Sequence, residues 1–269
     1  FIEPAINPAR WPDLGVKAAP LIIIAVGLSI GFRANAWNIG AEGQYVVGAI
    51  CGAGVALATW GQDGAWILPA MIVAGVLGGM AYAAIPATLK TRFGVSEILV
   101  SLMLTYVAIQ ILSYLTTGPW KDPDGFNFPQ TRIFTDAQTL PYLRNDGLTH
   151  LGVAFAPLIA LAAWAMLRFS RLGYDVTLVG LAPRAAAYAG VARGRVVWFG
   201  LMAGGGCAGL AGVLEAAGPF QQLTPQFPVG YGFTAIIVAF LGRLNPLGVV
   251  PAGLVMAVSY VGGEIAQTT

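Results

Sequence analysis

The chain has 269 residues, 57% of them hydrophobic and 10% charged, at a mean hydropathy of +0.73; a typical soluble domain carries about 25% charged residues, so an ordinary soluble globule is excluded. The net charge is +2 and the basic residues are dispersed, which argues against a nucleic-acid partner. With Lys17, Lys90 and Lys121 as the only lysines, no phosphate-binding loop, and His150 as the only histidine, an ATP cradle, a metal site and a His-based catalytic triad have no residues to build them; no catalytic or metal-ligating residue is expected.

In chain order, residues 1–19 mix Glu3, Arg10, Asp13 and Lys17 with three prolines, which is no signal peptide. The chain opens on Phe1 and stops at Thr269 beside an apolar segment, so a single transmembrane domain over 1–269, trimmed at both ends, is expected. Crossing the hydrocarbon takes about 20 apolar residues. Stretches free of Asp, Glu, Lys and Arg run over 43–62, 64–89, 98–120, 147–167, 196–214, 216–242 and 244–263, with a shorter one over 18–32. Lipid offers no partner to a free backbone amide, so each spanning stretch must be helical or shielded by protein. The predicted fold is all-α and polytopic. Cys51 and Cys207 lie in apolar, Gly-rich stretches and read as small buried hydrophobes. Glycines recur four apart at 48/52, 75/79, 200/204 and 205/209, a spacing for close helix packing inside the chain or between chains.

Loop charge sets the expected orientation. Lys90 and Arg92, then Arg168, Arg171, Arg184, Arg193 and Arg195 in a 168–195 loop, predict the cytoplasmic face. The 116–147 loop balances Lys121, Arg132 and Arg144 against Asp122, Asp124, Asp136 and Asp146 and suits the outer face. Its Pro119, Trp120, Pro123, Phe126, Phe128 and Pro129 form an aromatic, Pro-rich surface that a binding protein could land on, or a lid over the mouth.

Three segments carry functional information. Residues 32–44 are a polar, Gly-interrupted run between apolar stretches, a broken helix in which Asn35, Asn38 and Glu42 would share a face; they either meet substrate or tie helices together. In 180–191, Pro183 suits a first helical position and Gly190 the residue after the last, which predicts a two-turn surface helix and a docking element. Residues 229–248, preceded by Gly218-Pro219-Phe220-Gln221-Gln222, hold too short an apolar core for a separate span and read as a re-entrant or split helix.

In order and spacing, 38–44, 180–191 and 230–248 resemble the permeases of bacterial ABC importers for branched-chain amino acids and ribose-like sugars, in particular the branch serving nucleosides with basic-membrane-protein-type lipoproteins. The resemblance implies a type II-like importer permease in the bacterial cytoplasmic membrane. It pairs with a second homologous permease, often as a heterodimer, with cytoplasmic ABC ATPases that use the ATP and Mg, and with an extracytoplasmic binding protein or lipoprotein. It makes Pro183, Arg184, Ala185, Ala186, Ala187, Tyr188, Ala189 and Gly190 the coupling helix, and it expects a further helix at each end. Ala182 stands where the family has a capping Asn, which weakens the helix start by about 1 kcal/mol. A nucleoside needs amide partners for its base edge and aromatic faces for stacking, so the substrate-facing candidates are Asn38, Glu42, Gln44, Gln110, Phe220, Gln221, Tyr231 and Phe233. A simple sugar is the alternative substrate. An ion-coupled secondary carrier is the alternative class, with Glu42, Glu215 and Glu264 beside the spans as its only ionisable candidates.

Overall fold

A computed structural model describes residues 6–143 and 149–268; Arg144, Asp146 and Glu3 of the sequence reading fall outside the described residues. The helices are α1 (Trp11–Arg33), α2 (Ala41–Ala58), α3 (Ile67–Phe93), α4 (Glu97–Thr117), α5 (Gly152–Phe169), α6 (Arg171–Leu181), α7 (Pro183–Tyr188), α8 (Arg193–Glu215), α9 (Tyr231–Leu241) and α10 (Pro246–Thr268). Among the described residues seven helices are long and apolar enough to cross a membrane: α1 to α5, α8 with its continuation to Phe220, and α10.

Aliphatic and small residues on every side of α1 let it run through the centre of the bundle, buried almost continuously from Ala18 to Phe32. The glycine pairs serve contacts within the chain. A Cβ on Gly209 of α8 would lie 2.3 Å from the Gly75 carbonyl of α3, one on Gly48 of α2 would lie 2.3 Å from the Gly209 Cα, and one on Gly200 would lie 2.8 Å from the Gly31 Cα. Backbones therefore touch directly where α1, α2, α3 and α8 cross, and dispersion replaces the hydrophobic effect as the packing force. In contrast, α4, α5 and α10 present apolar side chains such as Met103, Leu158 and Leu254 outward, as lipid-facing helices do.

Two expectations change and one is borne out. The 18–32 stretch is the middle of a full 23-residue helix, because Asp13 and Lys17 sit in the first turns of α1, where Lys17 pairs with Glu264 at 2.9 Å. The 216–242 stretch is split, as its Gly and Pro residues predict: its start extends α8 through a π-helical turn (Ala216–Phe220), residues 221–230 are irregular, and its end is the 11-residue α9. The 168–195 loop holds a second helix, α6, whose first turn is capped by Ser170 accepting from the Gly173 amide at 3.1 Å and which buries Gly173, Val176 and Val179.

The 180–191 segment forms the expected short helix, α7, with Pro183 in its first turn and Gly190 beyond its end at φ +77, a conformation glycine adopts without a Cβ clash. Ala182 gives it no side-chain cap, only Ala186 packs inward, and Tyr188 is 95% exposed. At the opposite end of the bundle, residues 120–142 strap across the ends of α2 and α8. Gln138 donates to the Ala56 carbonyl at 2.8 Å, and the Leu140 and Phe134 amides donate to the carbonyls of Ala217 at 2.9 Å and Gln221 at 2.8 Å.

Candidate functional site: two broken segments meeting inside the bundle

After Arg33 the chain turns through Asn35, at φ +54, and runs without helical structure to Gly40 before α2 begins. Side chains take the place of the missing helical hydrogen bonds. The Trp37 amide donates to Glu97 at 3.3 Å, the Ile39 amide to the Ser101 hydroxyl at 3.2 Å, and the Gly40 amide to the Asn38 side-chain oxygen at 3.1 Å. Asn38 and Gln44, both buried, exchange two amide hydrogen bonds at 2.8 and 3.2 Å. Glu97 is itself anchored by Lys90. Buried polar groups are costly unless partnered, and these are partnered with one another.

Glu42, in the first turn of α2 and 1% exposed, reaches the second break. The backbone N–H groups of Gly230 and Gly232, at the start of α9, donate to its two carboxylate oxygens at 2.9 and 2.5 Å. A carboxylate between two helix N-termini meets the positive ends of both dipoles and free amide donors, which offsets part of the cost of burying it. The approach needs a bare backbone: a Cβ on Gly232 would lie 2.2 Å from the Glu42 nitrogen.

Aromatic rings fill the space beside this joint. Tyr45 stacks on Phe227 at 5.0 Å between centroids, Phe220 meets Phe227 edge-on at 5.2 Å, and Tyr231 packs edge-on against Tyr45 at 6.2 Å and Tyr260 at 6.0 Å. The Tyr45 hydroxyl is buried with no hydrogen-bond partner among the described residues.

Asn38, Glu42, Gln44, Tyr231 and Phe220 are thus brought together at the joint, and the first three are engaged with the protein itself, the arrangement of residues that tie helices. The other candidates lie apart. Gln221, at φ +53, donates to the Tyr142 hydroxyl at 3.2 Å under the outer strap. Phe233 is partly exposed on α9, and Gln110 faces away from α2, between Tyr106 and Tyr114 in an open groove of about 420 Å³. Sequence reasoning missed Glu97 and Ser101. With Thr105 they form a polar stripe at four-residue spacing along the first half of α4, and that spacing marks the face of the helix that holds the break. Among the described residues no group of three or more His, Cys, Asp or Glu could hold a metal ion.

His150 closes the outer end of α8. Its ring is buried against Gly218, both ring nitrogens lack partners, and burial pushes the imidazole below its ordinary 6.5. Lys17, Glu215 and Glu264 line the cavities it borders. A His whose folded pKa is depressed binds protons less readily than in the unfolded chain, so stability is undiminished above pH 6.5 and falls as pH drops below that value toward the lower folded pKa. Melting of the purified protein should accordingly drop more steeply between pH 7 and 5 for wild type than for His150→Leu; parallel profiles would contradict this.

Helices long and apolar enough to span a membrane, two of them followed by irregular segments that meet through a buried carboxylate, are a feature shared with the discontinuous helices of membrane transporters. The family model described as branched-chain amino acid transport system / permease component matches residues 13–269, and the chain belongs to that family: it is a multi-pass membrane permease. It is 38% identical to the glucose ABC transporter permease protein TsgB13 of Haloferax volcanii, over 99% of this chain and 72% of that protein. It is 30% identical to the guanosine ABC transporter permease protein NupP of Bacillus subtilis, over 89% of this chain and 69% of that protein. To the nucleoside ABC transporter permease protein NupB of Lactococcus lactis it is 26% identical, over 90% and 69%. No solved structure matches.

Proposed function

We propose that this chain is the translocation subunit of an ATP-driven importer in a bacterial cytoplasmic membrane, moving a nucleoside-like substrate by alternating access. The observation that carries this reading is the pairing of a jointed interior, where α2 and α9 start against Glu42, with an almost fully exposed short helix, α7, at the end of the bundle that collects Arg168, Arg171, Arg184, Arg193 and Arg195. The positive-inside bias places that end in the cytoplasm. There α7 seats in a cytoplasmic ABC ATPase, which binds ATP and Mg and performs hydrolysis; the permease itself makes and breaks no covalent bond. A second homologous permease, as a heterodimer, completes the pathway. The outer strap, with Phe126 94% exposed, receives the substrate-loaded binding protein.

The relatives that carry guanosine and nucleosides, and the aromatic cluster of Tyr45, Phe220, Phe227 and Tyr231, support a nucleoside. The 38% identical glucose permease supports a second reading, a simple sugar. A titration of the cognate binding protein with a panel of nucleosides and sugars separates the two: tight binding confined to sugars would overturn the first. Replacing residues 183–189 by a Gly/Ser stretch should leave insertion intact while ATPase co-purification and uptake fall at least tenfold; unchanged uptake would sink the docking role of α7.

A further inference from the structure

The end of α6 packs closely against the start of the first broken segment. Asn35 donates from Nδ2 to the Gly180 carbonyl at 3.1 Å, and the backbones approach so tightly that a Cβ on Gly180 would lie 1.8 Å from the Arg33 carbonyl oxygen. Gly180 stands three positions before Pro183, so the last turn of α6 leads straight into α7. On the other side of the same turn, Arg33 donates from Nε to the Leu244 carbonyl at 2.7 Å, in the tight connection between α9 and α10. Asn35, Arg243 and Leu244 all have positive φ, at +54, +55 and +54, so left-handed residues other than glycine gather where these three elements meet. Such conformations persist only where the surroundings hold them, and they gather at joints that change shape.

Beyond the turn lie residues 36–40, held by Glu97 and Ser101, and then Glu42, which grips the start of α9. The α9 helix is therefore linked to the turn at both ends, through Glu42 at its start and through Leu244 just past its end. We propose that the Arg33–Asn35 turn, pressed against Gly180, is the coupling joint: a displacement of α7 passes through Gly180 into the turn and tilts α9 relative to α3. Backbone in direct contact leaves no layer of rotatable side chain to absorb such a displacement. Asn35 and Gly180 act as positioning residues, distant from any substrate. The proposal rests on the reading that α7 seats in the ATPase.

The test uses the complete complex of both permeases and the ATPase in lipid nanodiscs, with Cys51 and Cys207 of this chain replaced by Ala and spin labels at Leu77 on α3 and Ile237 on α9, both exposed. ATP with vanadate should shift the wild-type inter-label distance by on the order of 2–5 Å. In Gly180→Ala the ATPase should still co-purify and hydrolyse ATP, while the shift falls to less than about a third of that. Alanine is a better helix former than glycine, so the added Cβ acts through its contact with the Arg33 carbonyl and not by lowering the helicity of α6. If Gly180→Ala fails to accumulate, Asn35→Gly is read instead; it preserves the left-handed backbone, removes the side-chain link, and should reduce the shift while leaving ATP hydrolysis within about twofold. A full shift in whichever variant is read, or no shift in wild type, overturns the joint. If the chain with residues 183–189 replaced still retains the ATPase, the docking reading has failed instead, and that outcome is visible from co-purification alone.

Discussion

Glu42→Ala is expected to destabilise the permease by about 2–4 kcal/mol, since it removes the acceptor of the buried Gly232 amide and of the part-buried Gly230 amide. Each hydrogen bond to the charged group is worth about 1.5–3 kcal/mol. Glu42→Gln should fall between, because its remaining oxygen serves one amide while its NH2 is set against the other. The measurement is thermal unfolding of the detergent-purified protein alongside uptake. Both variants should melt lower, Ala more than Gln, and Ala should abolish uptake by separating α2 from α9. Wild-type melting of Glu42→Ala would mean the carboxylate is not what joins the two breaks.

The second large effect is Gly209→Val. Where α8 crosses α2 and α3 the backbones are in contact, and the first added carbon would already lie 2.3 Å from the Gly75 carbonyl. One extra methyl in a tight core costs about 1–3 kcal/mol, and a branched side chain at a crossing of three helices costs more. The monodisperse peak of the solubilised protein should vanish. Gly190→Ala is the control: its φ is +77 and nothing lies within 4 Å of the added Cβ, so it should cost only about 1 kcal/mol of backbone strain. Equal effects of the two would show that helix crossing is not what these glycines serve.

What the residues revealed unaided follows from which interactions are local. Spans α3, α4, α5 and α10 emerge from the absence of charge, because lipid forbids it over the length of a helix. The same criterion cut α1 short, since Asp13 and Lys17 occupy helical turns near the outer end, where Lys17 finds Glu264. Charge alone leaves the 216–242 stretch unbroken, since irregular backbone shielded by protein needs no charge; Gly218, Pro219 and Gly230 are what mark the split there. The α6 helix was hidden among arginines, although Ser170 followed by inward residues at 173, 176 and 179 carries a helical signature.

The polar run from Asn38 to Gln44 stood out because such residues are rare between apolar stretches. Its partners could not be read: Glu97 lies 60 residues from Trp37, and Gly230 lies 188 from Glu42. Gly180 likewise reads as an ordinary motif glycine until Arg33 is seen against it.

The most direct test of the whole account is uptake of labelled guanosine and labelled glucose into proteoliposomes that contain this permease, its homologous partner, the ATPase and the binding protein. Uptake of at least one should require ATP, stop with an ATPase that binds but cannot hydrolyse it, and persist when an uncoupler dissipates ion gradients. Uptake that continues with the inactive ATPase and collapses with the uncoupler would contradict an ATP-driven permease.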